Sequence, residues 1–437
     1  MRAAWQIFRF LTGDRIGFVE QLDRDMGDFG RLRVASRRIV FVNTPELAQE
    51  VLIDRADDFH KSPGLRIVGK PLLGEGLLTA EGENHLRQRR LVAPALAHHR
   101  VMRYASLMEQ HTREHVASWQ PGSIAMLPEM TRLTLGIVGE ALFNANLLDE
   151  AAELGSAITD AMRHGTRLLG IVHVPADWDT PGNRRVARSI DRLNRTIYRL
   201  IEERRASGED KGDLLSMLLM SSEEDEHGLR SLTDKQVRDE AMTLFLAGHE
   251  TTANAVTWAL YLLARNPEIQ QRLQGEVDQL SGNPIAFADL PRLPLALQVF
   301  KEALRLYPPA FLIGRQAKRD TRLGGHAIEA GEIVLLAPYI LQRSPRYFEQ
   351  PLHFDPDRFL PERESTIPRM AYLPFGAGRR ICIGNQFALM EGQIVLATLA
   401  ARWEFQRAAA KAPGYEALIT LRPRDGMQLE IQRRKVH

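Results

Sequence analysis

At 437 residues and 44% hydrophobic, the chain can bury a large core, and its length alone admits two or three domains. Its 57 basic and 55 acidic residues leave a net charge of +2, which excludes the uniform field of a nucleic-acid binder. A single cysteine excludes an intramolecular disulfide, a thiolate zinc site and an iron–sulfur cluster.

In chain order, MRAAWQIFRFLTGDRIGFVE is broken by Arg2, Arg9, Asp14 and Arg15, short of the roughly 20 apolar residues that span a bilayer. It also lacks a signal-peptide core and cleavage site. Trp5, Phe8 and Phe10 predict an amphipathic packed helix, with a graze against a membrane as the alternative. The expectation is a soluble, cytoplasmic protein of bacterial type with no transmembrane anchor. Arg31 to Val42 alternates as a hairpin around Ser36, and Pro45 opens a helix over ELAQEVLI. From Glu83 onward helical patterns dominate: HLRQRRLVAPAL, VMRYASLMEQHTREHVASW, EMTRLTLGIVGEALF, then 150–168 and 183–205. Polar runs at 206–211 and 221–228 read as loops flanking a short apolar helix. No linker, repeat or low-complexity tract appears, so one domain over 1–437 is expected.

The longest helix is predicted to start at Thr233, an N-cap with Gln236 three residues on, and to run to about Arg265, before Asn266-Pro267. That length is well above the ~11–12 residues typical of globular helices, so it must cross the core. Helices over 267–281 and 295–307 follow, then a strand near 311–317 and a hairpin over 321–336 turning at Gly324-Gly325 and Gly331. The pattern is mainly α with a small β-sheet region.

Cys382 lies in Phe375-Gly376-Ala377-Gly378-Arg379-Arg380-Ile381-Cys382-Ile383-Gly384. A lone cysteine is a buried small hydrophobe, a nucleophile or a single axial ligand to haem iron. Glycines at 376, 378 and 384 permit unusual backbone conformations and close approach to a flat ligand. Arg380 and backbone N–H groups favour a thiolate, as does the helix expected after Gly384, over NQFALMEGQIVLATLAARW.

This loop resembles the haem-binding signature of the cytochrome P450 family, with Phe375, Gly378, Arg380, Cys382 and Gly384 at the signature positions. The likeness runs from the hairpin near residue 31 to the C-terminus. It implies a mostly α triangular prism with a small sheet at one edge and a long central helix over haem b, whose iron Cys382 ligates. The segment Ala247-Gly248-His249-Glu250-Thr251-Thr252 resembles the family's oxygen-activation segment. Ala247 and Gly248 then let the helix pass over the iron, and Glu250 and Thr251 relay protons; read without the family, Thr251 back-bonds to a carbonyl and Glu250 finds a partner. Glu302 and Arg305 resemble the pair that, with Arg358, braces the loop behind the sulfur. His85, Arg89, Arg315 and Arg380 fall at propionate-binding positions, and Phe375, Gly376 and Gly384 complete the cofactor contacts.

The resemblance implies a monooxygenase that inserts one atom of O2 into a small apolar substrate: a fatty acid, terpenoid, steroid or polyketide-like molecule. Electrons come from a separate ferredoxin or flavodoxin with an NAD(P)H-dependent reductase. Arg87, Arg90, Arg100, Arg103 and Arg379 are either its docking patch or scattered solvated bases. The chain ends soon after its last strands, so no fused redox module is expected. A peroxygenase or rearrangement enzyme and a non-catalytic haem sensor are the rivals; Glu250 and Thr251 count against both. A cysteine hydrolase would need a histidine base, and none lies nearer in sequence than His353. Pocket walls are expected from residues 60–80, the helices near 160–185, Phe245 and Ala247, Pro309 to Ile313, and the turn at Leu418-Ile419.

Overall fold

The structure, a computed structural model, describes residues 13–34, 37–167, 178–225, 228–408 and 413–435. The helix expected over Trp5, Phe8 and Phe10 and the turn at Ser36 lie outside them. In chain order the main elements are helix α1 (Arg15–Met26), strands β1 (Phe29–Val34), β2 (Arg37–Val42) and β3 (Phe59–Lys61), and helices α2 (Pro63–Leu73), α3 (Gly82–Val92) and α4 (Tyr104–Ala117). There follow strand β4 (Gly122–Ala125) and helices α5 (Met126–Phe143), α6 (Ala151–Arg167), α7 (Pro181–Ser207), α8 (Asp234–Arg265), α9 (Pro267–Asp278) and α10 (Pro294–Leu306). The last third supplies β5 (Ile313–Ala317), β6 (Ile333–Leu336), α11 (Asn385–Ala400), β7 (Trp403–Arg407), β8 (Tyr415–Ala417), β9 (Leu421–Pro423) and β10 (Gln428–Arg433).

Helix α8 organises the helical body. Thr233 and Gln236 form the reciprocal capping box that starts it, and Asn266 stops it before Pro267. It packs on α2, α5, α7, α10 and α11, so nearly every side chain along it is buried in one large apolar cluster. The sheet is five-stranded in the order β1-β2-β6-β5-β3, with β6 parallel to β2 and the other pairings antiparallel. Two smaller apolar clusters cover it. Among the described residues no helix is long and apolar enough to cross a membrane.

Three segments go against or beyond the sequence reading. The 221–228 run, read as a loop, supplies strand Ser222–Asp225, which pairs antiparallel with Gly228–Ser231. The segment Pro63–Leu73 is helical although it holds two prolines and two glycines; Pro63 sits where no N–H is needed, while Pro71 lies inside the helix. The expected 321–336 hairpin divides: Thr321–Leu323 pairs with His326–Ile328 across Gly324-Gly325, and β6 leaves to join the main sheet.

Candidate active site

The cysteine loop is folded by its own backbone. Cys382 N donates to Phe375 O at 2.9 Å, Ile381 N to Gly378 O at 3.1 Å, and Gly376 N to Leu373 O at 3.1 Å. Gly378 has φ +68°, and a Cβ there would fall 2.1 Å from Leu52 O, so no other residue fits. Gly376 shares the φ, but its added Cβ would meet nothing within 4 Å. Gly384 also faces open space, and its φ of −93° suits any residue; glycine there leaves room and is not required by conformation.

Cys382 is exposed, yet enough protein surrounds it that burial pushes its thiol up. Gly384 N–H and the Arg89 charge act the other way and are outweighed. This corrects the expectation of a thiolate held by Arg380, whose guanidinium turns away to Ala80 O (2.7 Å) and Glu81 (2.6 Å). A coordinating metal deprotonates such a thiol outright.

The middle of α8 opens in the same way. Ala247 is exposed, and Leu246, Gly248 and Thr251 are half-buried, in a helix otherwise buried from Val237 to Ala264. Such a break in a core helix marks internal space. Thr251 Oγ1 donates to Ala247 O at 2.8 Å and Thr252 Oγ1 to Gly248 O at 3.1 Å, the back-bonding that competes with the helix ladder. The missing side chain of Gly248 faces α5, where a Cβ would sit 3.0 Å from Val138, so close helix packing is what requires this glycine. Phe245, expected in the pocket wall, is 1% exposed and packs edge-on to Phe143. Glu250 accepts from Asn254 Nδ2 (3.0 Å) and Thr420 Oγ1 (2.9 Å).

A third group gathers where α3, β3, β5 and the cysteine loop meet. His85, Arg315 and Arg380 come together, and sequence reasoning missed Lys61 and Glu81 among them. Register sets Lys61 directly opposite Arg315 across β3 and β5. Lys61 N and Arg380 Nη2 both reach Glu81, and Lys61 Nζ donates to Leu78 O. Arg89 donates to Ile381 O at 2.8 Å. Burial, then repulsion from Arg380, pushes Arg315 down to about 10, and the same causes, with Lys61 and Arg89, push His85 to about 3. Burial and the surrounding cations therefore hold His85 neutral here. One carboxylate among four neighbouring cations leaves a half-buried pocket short of anions.

Behind the loop, Arg305 donates to both oxygens of Glu302 at 2.7 Å, and Arg358 Nε lies 3.4 Å from Glu302. All three are buried. Arg305 also donates to Gln342 O, while the Gln342 side chain accepts from Leu373 N at 2.8 Å. Because Leu373 O holds Gly376 N, one hydrogen-bonded path joins the pair to the cysteine loop. Gln342 carried no motif, so only the fold reveals it.

A second carboxyl also escaped sequence reading. Glu391 on α11 is 0% exposed beside Thr252, and burial raises it to about 8.

The family model described as "Cytochrome P450" matches residues 4–430. Cyclooctatin synthase of Streptomyces melanosporofaciens is 38% identical over 92% of this chain and 86% of its own. Cyclooctat-9-en-7-ol 5-monooxygenase of the same organism is 36% identical over 87% and 83%, and pentalenene oxygenase of Streptomyces avermitilis is 34% identical over 92% and 88%. The haem domain of cytochrome P450DA superposes with a TM-score of 0.84 at 26% identity, covering 97% of this chain and 93% of that one. The fold is thus the P450 prism, and the chain is a haem-thiolate monooxygenase that uses O2 and a redox partner to oxidise an organic substrate. A family match over nearly the whole length, together with relatives 34% to 38% identical over most of both chains and a superposable P450 haem domain, establishes that this chain belongs to the cytochrome P450 family.

Proposed function

We propose that the chain hydroxylates or epoxidises a cyclic terpenoid, with haem b bound through Cys382 and protons delivered through Glu250 and Thr251. The observation that carries this reading is the exposure of Ala247 within an otherwise buried stretch of α8, together with a lone exposed cysteine whose half-buried loop adjoins a base cluster short of anions. The terpenoid class is supported by relatives whose names denote oxidation of ring alkenes and alkenols. A ferredoxin or flavodoxin with an NAD(P)H-dependent reductase suits the exposed bases Arg87, Arg90, Arg103 and Arg379, and the protein works in the cytoplasm as one domain.

Haem with a thiolate ligand, when bound, supplies oxygen activation: one atom enters the substrate and the other leaves as water, with two electrons and two protons consumed. The residues fit this group. Cys382 would hold the iron as a thiolate, an anion that Gly384 N–H and Arg89 favour. Arg315, Arg380 and Lys61 offer charge, and His85 and Arg89 hydrogen bonds, to two propionates, which relieves the repulsion among them. Phe375 and Gly376 belong to the cysteine loop, and Ala247 keeps its turn of α8 slim, while Gly248 contributes through its close packing on Val138 of α5. Thr251 donates to Ala247 O at rest and, by rotating, can hand its proton to a group in the opening; Glu250 resupplies it.

Cys382→Ser is expected to abolish the thiolate-type CO spectrum of the haem-loaded protein with the helical CD retained; an unchanged spectrum would remove the ligand assignment. Thr251→Ala and Glu250→Gln are expected to bind haem and substrate while product per NAD(P)H falls and peroxide rises. Loss of a positioned proton-transfer group slows the assisted step by about 10²- to 10⁴-fold. Full coupling in both variants would refute the relay.

A further inference from the structure

Glu250 is held by neutral donors from two directions. Its Oε1 accepts from Asn254 Nδ2 at 3.0 Å, one turn along α8, and from Thr420 Oγ1 at 2.9 Å. Asn254 Nδ2 also lies 3.3 Å from Thr420 Oγ1, which closes a triangle of three buried side chains. Among the described residues no lysine or arginine pairs with Glu250, and none donates to its Oε2. The oxygen facing these donors is therefore fixed, and the other is left to exchange protons.

Thr420 comes from the far end of the chain, in the turn between β8 and β9. Leu418 N donates to Thr420 O at 3.0 Å and Leu421 N to Pro309 O at 2.9 Å, so the backbone on each side of it is pinned. The flanking strands are clasped to α6: Arg163 meets both oxygens of Glu416 at 3.1 Å, and Arg422 Nη1 donates to Thr159 Oγ1 at 3.2 Å. A short side chain on a turn anchored at this many points holds its hydroxyl in one place. A glutamate without it keeps three rotatable bonds and a choice of rotamers.

We infer that Thr420 is a positioning residue for Glu250: its hydroxyl, with Asn254, fixes Oε1 and presents Oε2 as the proton-exchanging oxygen. The inference rests on the reading of Glu250 as the relay acid. It adds that the acid's geometry is set from outside its own helix, by a turn whose strands α6 holds.

The test uses haem-loaded Thr420→Val, which keeps the shape, Thr420→Ser, which keeps the hydroxyl, Glu250→Gln, and the Thr420→Val/Glu250→Gln double variant. Two readouts are taken: denaturant unfolding without turnover, and product against peroxide per NAD(P)H. The unfolding cycle is taken between Thr420→Val and Glu250→Leu, singly and together, because glutamine would keep the accepting oxygen. It is expected to give a coupling worth about tenfold in the equilibrium constant, as for a buried hydrogen bond. In turnover, Thr420→Val is expected to lose about tenfold in product rate with more peroxide, Thr420→Ser to recover it, and the double variant to be no worse than Glu250→Gln alone. Zero coupling in the unfolding cycle overturns the inference, as does full coupled turnover in Thr420→Val where Glu250→Gln fails. If Glu250→Gln itself keeps full rate and coupling, the relay reading falls instead, and the unfolding cycle still decides whether Thr420 holds the carboxylate.

Discussion

Replacing Arg305 with methionine removes a cation that is 0% exposed and stacked over the Phe348 ring. Five hydrogen bonds go with it: two to Glu302 and one each to the carbonyls of Gln342, Pro351 and His353. Glu302 keeps the N–H of Asp355 at 3.0 Å and a long contact to Arg358 at 3.4 Å, too little to compensate a buried carboxylate. Breaking such a pair from one side costs about 3–5 kcal/mol. Arg305→Lys keeps the charge with at most three donors and is expected to lose about half as much.

The loss carries its own pH dependence. Burial already raises Glu302 above the usual range while Arg305 opposes it, so without Arg305 the carboxyl rises further. A raised carboxyl stabilises the fold at low pH and loses that contribution as pH climbs through its folded value. The deficit of Arg305→Met is therefore expected to grow with pH once pH passes the already raised wild-type value of Glu302, until the variant's still higher value is reached, by at most ~1.4 kcal/mol per unit. Urea unfolding followed by far-UV CD at pH 5 and pH 7 measures it. Haem content of the purified protein tests the path through Gln342 and Leu373 to the cysteine loop. A deficit under about 1 kcal/mol at both pH values, or wild-type haem content, would refute the bracing argument.

Two further outcomes follow from the same geometry. Gly378→Ala, with a Cβ 2.1 Å from Leu52 O at φ +68°, is expected to displace the loop and yield haem-poor protein, whereas Gly376→Ala, at the same φ in open space, costs only about 1–2 kcal/mol; equal haem content in the two contradicts this. Glu391, raised to about 8, stabilises the fold below about pH 4.5 and loses that contribution as pH rises to 8, so Glu391→Gln is expected to flatten the stability profile over that window by a few kcal/mol; parallel wild-type and variant profiles refute it.

How much the sequence discloses differs by feature, for physical reasons. Helix α8 was legible because its ends are local chemistry: a Thr233–Gln236 capping box and an Asn266-Pro267 stop. The cysteine loop was legible because glycines record backbone demands, as Gly378 does. Helix α2 was not, since Pro63, Gly64, Gly69 and Pro71 hide a helix held by tertiary packing. Lys61 and Glu81 were invisible because Lys61 meets Arg315 through the register of β3 against β5 and Glu81 meets Arg380 from 299 residues away in the chain, neither of which a local pattern encodes. Phe245 was misassigned to the pocket because two residues of helix turn its side chain far from that of Ala247.

The two halves of the site carry opposite electrostatic faults in the protein alone. Burial holds the Cys382 thiol protonated, while burial and mutual repulsion push down Lys61, Arg315 and Arg380. One half lacks a cation and the other lacks anions. Haem, through its iron and its propionates, would relieve both. Binding energy gained this way is folding energy, because the loop, α3 and the β3–β5 pair meet only in the native state. On the proposed assignment, the residues that would grip the cofactor are also those whose burial is least compensated within the protein, which would tie assembly of the cysteine loop to cofactor capture.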